Sequence, residues 1–161
     1  EEGDAVYVGV QTCATCHQEA VVQWRQALHH RAEMDATPEG HARAWLTLED
    51  LNKTRDRSCV GCHSVGFNEP GGYCKTDEVG FLGDVQCESC HGAGSLHSQT
   101  GDPSFIDRTV SESHCRTCHH VPHIESYESF NYEENLKLIL GPGHGYKKWR
   151  NLVGESDLVH D

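Results

Sequence analysis

Eight of the nine cysteines fall into four pairs, Cys13/Cys16, Cys59/Cys62, Cys87/Cys90 and Cys115/Cys118. A histidine follows each pair at once: His17, His63, His91 and His119. Cys-x-x-Cys-His is the attachment signature of c-type haem. The two thiols form thioethers to the porphyrin vinyl groups and the next side chain reaches the iron, so spacing and residue type follow from one geometry. Zinc ribbons and thioredoxin-like sites also use Cys-x-x-Cys, but neither requires a histidine after every second cysteine. A disulfide framework would use the same eight thiols and leave the four histidines unexplained. The motifs therefore predict four c-type haems, with the eight paired cysteines as attachment points and His17, His63, His91 and His119 as proximal iron ligands.

Composition points the same way. Leu, Ile, Val and Phe number 31 of 161 residues and the formal net charge is −12, values that on their own would file the chain with disordered polypeptides. Four macrocycles would give each haem roughly 40 residues to wrap it, and their apolar faces would replace the missing hydrocarbon core. A single domain over 1–161 is the expectation. With 13 Lys and Arg against 25 Asp and Glu, the balance is wrong for neutralising nucleic-acid phosphates. No apolar stretch approaches the ~18 residues needed to span a membrane.

The elements that must position the motifs read as helices strung between haem sites. From His17 to Met34, the residues Val21, Trp24 and Leu28 recur at helical spacing, so an amphipathic helix is expected there, carrying His29 or His30 inward. A second helix is expected after Thr37-Pro38, with Trp45, Leu48 and Leu51 on one face, ending before Cys59. The segment 66–83 holds five glycines and Pro70 and reads as turns with at most a short hairpin. Residues 92–107 read as loop. A helix start is expected at Asn131-Tyr132-Glu133-Glu134, with Leu136, Ile139 and Leu140 behind it, stopped by Gly141-Pro142-Gly143, which presents His144. The fold class is mainly α, with helices and loops wrapped around four covalently bound haems and little β.

Nine further histidines are available above the irons: His29, His30, His41, His97, His114, His120, His123, His144 and His160. Met34 is the chain's one methionine, so at most one haem can have the His/Met pair that raises potential. His29 and His30 point about 100° apart on a helix, so only one can face a given iron. His97 is too near His91 in sequence to cap that haem easily. Pro122 breaks the helical spacing of His120 and His123, which read as exposed or propionate-contacting groups. Cys74 is the unpaired thiol and reads as buried and inert, with an intermolecular bridge as the alternative.

Cys13-Ala-Thr-Cys-His17 followed by Trp24 and His29 resembles the tetrahaem cytochrome c-554 family. So do Cys59-Val-Gly-Cys-His63-Ser-Val-Gly-Phe67 with Gly71-Gly72-Tyr73, and Cys87-Glu-Ser-Cys-His91-Gly-Ala-Gly94; the likeness continues through Cys115 to the helix before His144. The resemblance implies a mostly helical fold with closely stacked haem pairs. It also implies that His97 caps the first haem, His29 the third and His144 the fourth, and that the second iron, above His63, is open. Resemblance to c-type cytochromes further implies haem attachment outside the cytoplasm. The start Glu1-Glu2-Gly3-Asp4-Ala5 is expected to be a mature N-terminus after export, in the periplasm or at the cell surface.

The function expected is transport of electrons between redox partners, by hopping along closely spaced, mostly bis-histidine haems. Two alternatives stand beside it: reduction of a small nitrogen oxide at an open second haem, and a subunit of an extracellular cytochrome filament. The Cys-x-x-Cys-Lys motif of the usual cytochrome nitrite reductases is absent. The resemblance implies a lysine-rich cytochrome in the family member that accepts electrons from hydroxylamine oxidoreductase, whereas this chain is acidic, so its own redox partner is expected to present a basic patch.

Overall fold

The computed structural model describes residues 4–26, 44–74, 82–120 and 130–154. Within them lie α1 (Val10–Ala14), α2 (Gln18–Gln26), α3 (Ala44–Asp50), α4 (Arg57–Val60), α5 (Cys87–His91), α6 (Ser95–Thr100), a 3-10 turn (Pro103–Phe105), α7 (Glu112–Cys115), α8 (Tyr132–Ile139) and α9 (Tyr146–Val153). β structure among these residues is limited to two isolated bridges, Ser64 with Gly83 and Gly141 with His144. The mainly helical expectation holds. His29, His30, Met34, His41, His123 and His160 lie outside the described residues.

Hydrocarbon is concentrated at one place. Trp45 and Leu48 from α3, Val60 from α4, and Val65, Tyr73 and Leu82 from the turns that follow form one buried cluster, with Cys59 and Phe67 packed against it. The Trp45 and Tyr73 rings sit 5.1 Å apart, within the range of favourable tilted aromatic contact. The turns close on the cluster through Val65 N–H to Leu82 O (2.9 Å) and Tyr73 N–H to Val65 O (2.9 Å). Gly72 is required there, because a Cβ at that position would stand 1.9 Å from the Gly66 carbonyl oxygen. This cluster is the bed of the second motif, and Tyr7 from the lead-in of α1 packs against it as well.

Leu51 does not join the apolar face as expected; it is 64% exposed. Asn52 adopts a left-handed φ of 54° just past α3. Its N–H donates to Glu49 O, and Lys53 N–H donates to Leu48 O at 2.7 Å, the paired bonds of a Schellman ending that stops the helix at the turn where Leu51 stands exposed.

Residues 92–107 are also more regular than expected. Gly94 and Gly101 are the two caps of α6, and Gly101, at φ 73°, closes it through its N–H to His97 O (2.7 Å). Asp102 then caps the 3-10 turn by accepting from Ser104 N–H at 2.8 Å. α8 begins where expected, with Asn131 Oδ1 accepting from Glu133 N–H and Glu134 N–H at 3.1 and 3.2 Å. α9, unanticipated, follows the His144 turn and packs on α8, with Lys148 Nζ lying 5.4 Å from the centre of the Tyr132 ring.

Because the apolar cluster is small, each member weighs heavily on it. Leu48→Ala is expected to cost about 2–5 kcal/mol of unfolding free energy. Leu51→Ala should stay within about 0.5 kcal/mol of the parent. Guanidinium denaturation of the holoprotein followed by far-ultraviolet circular dichroism separates the two, and equal losses would contradict this placement of the core.

Candidate functional site

Each Cys-x-x-Cys-His motif is wound into a single helical turn. Cys16 N–H donates to Cys13 O (3.2 Å), Cys62 N–H to Cys59 O (3.1 Å) and Cys118 N–H to Cys115 O (3.3 Å), while the third motif is helix α5 itself. A turn of helix puts residues three apart on one face, so both thiols of a pair point the same way with the histidine just beyond them.

The four motifs are brought together in a definite order. The Cys13 and Cys87 thiols lie beside each other, and their interaction raises the pKa of Cys13 and lowers that of Cys87. Cys62 and Cys118 do the same, raising Cys62 and lowering Cys118. Burial pushes Cys90 up to about 11, and the Cys115 and Cys118 sulfurs beside it add to the rise. His114, the residue before Cys115, donates from Nε2 to Ser89 O inside the third motif at 2.8 Å. The first motif thus adjoins the third, the third the fourth, and the fourth the second.

Two of the histidines picked out in the sequence face proximal histidines across a fixed interval. The His17 and His97 ring centres are 6.0 Å apart with an interplanar angle of 19°. Those of His91 and His144 are 6.1 Å apart and nearly perpendicular. Two metal–imidazole bonds of about 2 Å, plus roughly 1 Å from each nitrogen to its ring centre, require about 6 Å. Both pairs therefore have the separation that one iron between two imidazoles demands.

Hydrogen bonding sets the nitrogen that would do the binding. Nδ1 of His63 meets Ala44 O, Nδ1 of His91 meets Asp107 O, Nδ1 of His97 meets Asp102 O at 3.0 Å and Nδ1 of His144 meets Ile139 O at 3.1 Å. A carbonyl can only accept, so in all four the proton is on Nδ1 and Nε2 keeps its lone pair for a metal. His114 has the opposite arrangement, with Nε2–H given to Ser89 O, and is disqualified as an Nε2 ligand. The residues present fit bis-histidine haem at the first and third motifs.

The fold supplies each partner from a different element. α6 carries His97. His144 stands in the turn closed by Gly141 N–H to His144 O (2.8 Å) and His144 N–H to Gly141 O (3.0 Å). Gly143 in that turn has φ 78°, and a Cβ there would lie 2.3 Å from Glu19 Cβ at the start of α2. His119 of the fourth motif stacks on Phe130 at 4.9 Å, and Arg116 covers the same ring at 5.0 Å. His144, expected over the fourth haem, has its ring against His91 of the third motif. His29, expected over the third, lies outside the described residues. Cys74 is exposed, not buried as expected.

Two residues that the sequence reading passed over hold the first and third motifs together. Glu88, an x position of the third motif, is 3% exposed and accepts from three backbone amides. Gln86 Oε1 accepts from Val10 N–H at 2.7 Å. The available signal was an acidic residue inside a haem motif, beside a thiol pair that burial must cover. Among the described residues, no three His, Cys, Asp or Glu side chains gather as a bare metal site, so there the cysteine pairs do not converge as zinc ligands.

Comparison with known proteins gives the family and the fold. The cytochrome c554 and c-prime family profile matches residues 12–92. Cytochrome c-554 of Nitrosomonas europaea is 35% identical over 94 residues, which cover 56% of this chain and 40% of that relative, well under two thirds of its length. The structure of reduced cytochrome c554 from Nitrosomonas europaea superposes with a TM-score of 0.51 at 24% identity, over 95% of this chain and 84% of that one, which establishes the shared fold. With half the chain matched to the profile, the protein belongs to the cytochrome c554 family.

Proposed function

We propose that the chain carries four c-type haems and moves electrons between redox partners along them. Attachment would use Cys13/Cys16, Cys59/Cys62, Cys87/Cys90 and Cys115/Cys118, with His17, His63, His91 and His119 as proximal ligands. His97 would complete the first iron and His144 the third, which leaves His29 unneeded at the third. The observation that carries this reading is the pair of imidazole couples 6.0 and 6.1 Å apart, with Nε2 lone pairs left for metal by the backbone carbonyls.

When bound, haem iron supplies one-electron chemistry at a potential set by its ligands, burial and nearby charge. The polypeptide holds the rings in sequence. Motif adjacency supports the order first, third, fourth, second, with Cys13 against Cys87, His114 bonded to Ser89, and Cys62 against Cys118. Two imidazoles on an iron favour low potential and leave no position for substrate, which suits relay and not catalysis at those two sites.

The second site supports a further role, binding of a small ligand. Nδ1 of His63 is held by Ala44 O, and no imidazole ring stacks against His63 among the described residues. An open iron there would take a small nitrogen oxide or a similar diatomic. The acidic surface, net −12, supports a redox partner with a basic docking patch, and c-type attachment chemistry supports an exported location.

His97→Ala and His144→Ala are each expected to convert one haem in four from low-spin to high-spin in the ferric electron paramagnetic resonance spectrum. His114→Ala should leave the spin states unchanged, and a new high-spin signal in it would overturn the assignment by tautomer. Titrating the reduced protein with carbon monoxide should take up at least one molecule per four haems, the second iron having no distal imidazole assigned to it. No uptake would mean that the second iron is capped.

A further inference from the structure

The first haem's two ligands would reach it on separate segments, His17 in the turn between α1 and α2 and His97 on α6. Neither helix has a side-chain cap of its own: Gly9 precedes α1 and Gly94 precedes α6. Orphan amides at helix starts need acceptors. Both helices find theirs in one carboxylate. Glu88 Oε2 accepts from Gly9 N–H at 2.7 Å and Oε1 from Gly94 N–H at 2.7 Å, and Val8 N–H lies 2.9 and 3.1 Å from the two oxygens.

The surroundings fit that carboxylate closely. A Cβ on Gly94 would stand 3.1 Å from Glu88 Oε1, so the bare backbone is what lets α6 approach. Beside it, Val6 N–H donates to Ser95 Oγ (2.9 Å) and Ser95 N–H returns to Val6 O (3.1 Å), which binds the lead-in of α1 directly to the first residue of α6. A buried carboxylate is unfavourable unless its oxygens are satisfied, and here they are satisfied by the two segments that carry an opposed histidine pair.

We propose that Glu88 is a positioning residue for the first haem: from within the third motif, its two oxygens fix α1 and α6 so that His17 and His97 stand one iron apart. The inference rests on the reading of His17 and His97 as an axial pair. It makes the third motif a structural determinant of the first site's ligation, and it separates Glu88 from Gln86, which anchors α1 alone through Val10 N–H.

Glu88→Gln tests this with little change of shape. The amide has one acceptor oxygen, so its NH2 must point at a backbone N–H and release either Gly9 or Gly94. The holoprotein carrying Glu88→Gln is compared with His97→Ala and Gln86→Ala by ferric electron paramagnetic resonance and by the rate of cyanide binding. Cyanide binding counts as the rate at which the distal imidazole can be displaced. Glu88→Gln is expected to raise the high-spin fraction above that of the parent by up to one haem in four, or to speed cyanide binding at one haem by about tenfold, the effect of one lost charge-assisted hydrogen bond. Gln86→Ala, which frees one bond of α1 and leaves α6 held, should change both readings by clearly less than Glu88→Gln.

If His97→Ala opens one haem and Glu88→Gln opens none and leaves cyanide binding unchanged, the positioning role is overturned while the axial pair stands. If His97→Ala itself opens no haem, the axial pair falls and the positioning role with it. Equal effects from Glu88→Gln and Gln86→Ala would show general loosening and overturn the shared-anchor role. Should Glu88→Gln yield no holoprotein, Glu88→Asp gives the same reading, since its carboxylate is drawn back by one methylene. Faster cyanide binding there supports the proposal, and an unchanged rate overturns it.

Discussion

An imidazole can bind a metal through Nε2 only while its other nitrogen keeps the proton, and this fold meets that condition with backbone carbonyls. Ala44, Asp107, Asp102 and Ile139 each direct a carbonyl at the Nδ1 of a histidine. Such a bond orients the ring as well as choosing its tautomer, because rotation about the ring axis would break it. The carbonyls are placed in turn by local structure. Asp102 caps the 3-10 turn after α6, Ile139 ends α8, and Asp107 also donates its N–H to His91 O at 2.9 Å. Short helices with defined ends are thus what the chemistry requires of this chain, and long ones would bury the carbonyls it uses.

The same requirement accounts for the uneven distribution of hydrocarbon. One cluster, around Trp45, Leu48 and Val65, supports the second motif. Elsewhere the motifs are held by polar bonds: Glu88 and Gln86 between the first and third, His114 between the third and fourth. Polar joints of this kind are specific in geometry, and each is stabilising only when every group in it is satisfied. In a chain with so few large aliphatic residues, they set which motif lies beside which.

Much of this was legible in the sequence. The thiol spacing and the histidine after each pair mark the expected haem sites without any structure, and Asn131 before its acidic pair marks α8. The family resemblance pointed His97 to the first motif, and its closeness to His91 in sequence argued only against the third. The partner of His144 was not legible: a turn shows that a histidine is presented but not what it faces, and that depends on how Gly143 packs against Glu19 of α2. Gly94 and Gly101 read as breakers because glycine is common in loops, yet Gly94 N–H is held by Glu88 Oε1 and Gly101 N–H closes α6 on His97 O. Leu51 kept the helical period but stands at the end of α3, just before a left-handed asparagine. The partners of Gly94 and His144 are tertiary information, whereas the endings at Gly101 and Asn52 are local.

The most direct measurement is the intact mass of the purified native protein under denaturing conditions, which retain only covalently attached groups. The mass of the polypeptide plus four haems, lost in steps of one haem when each Cys pair is replaced by Ser, is the predicted result. A mass equal to the bare polypeptide, in material that is compactly folded before denaturation, would contradict the account.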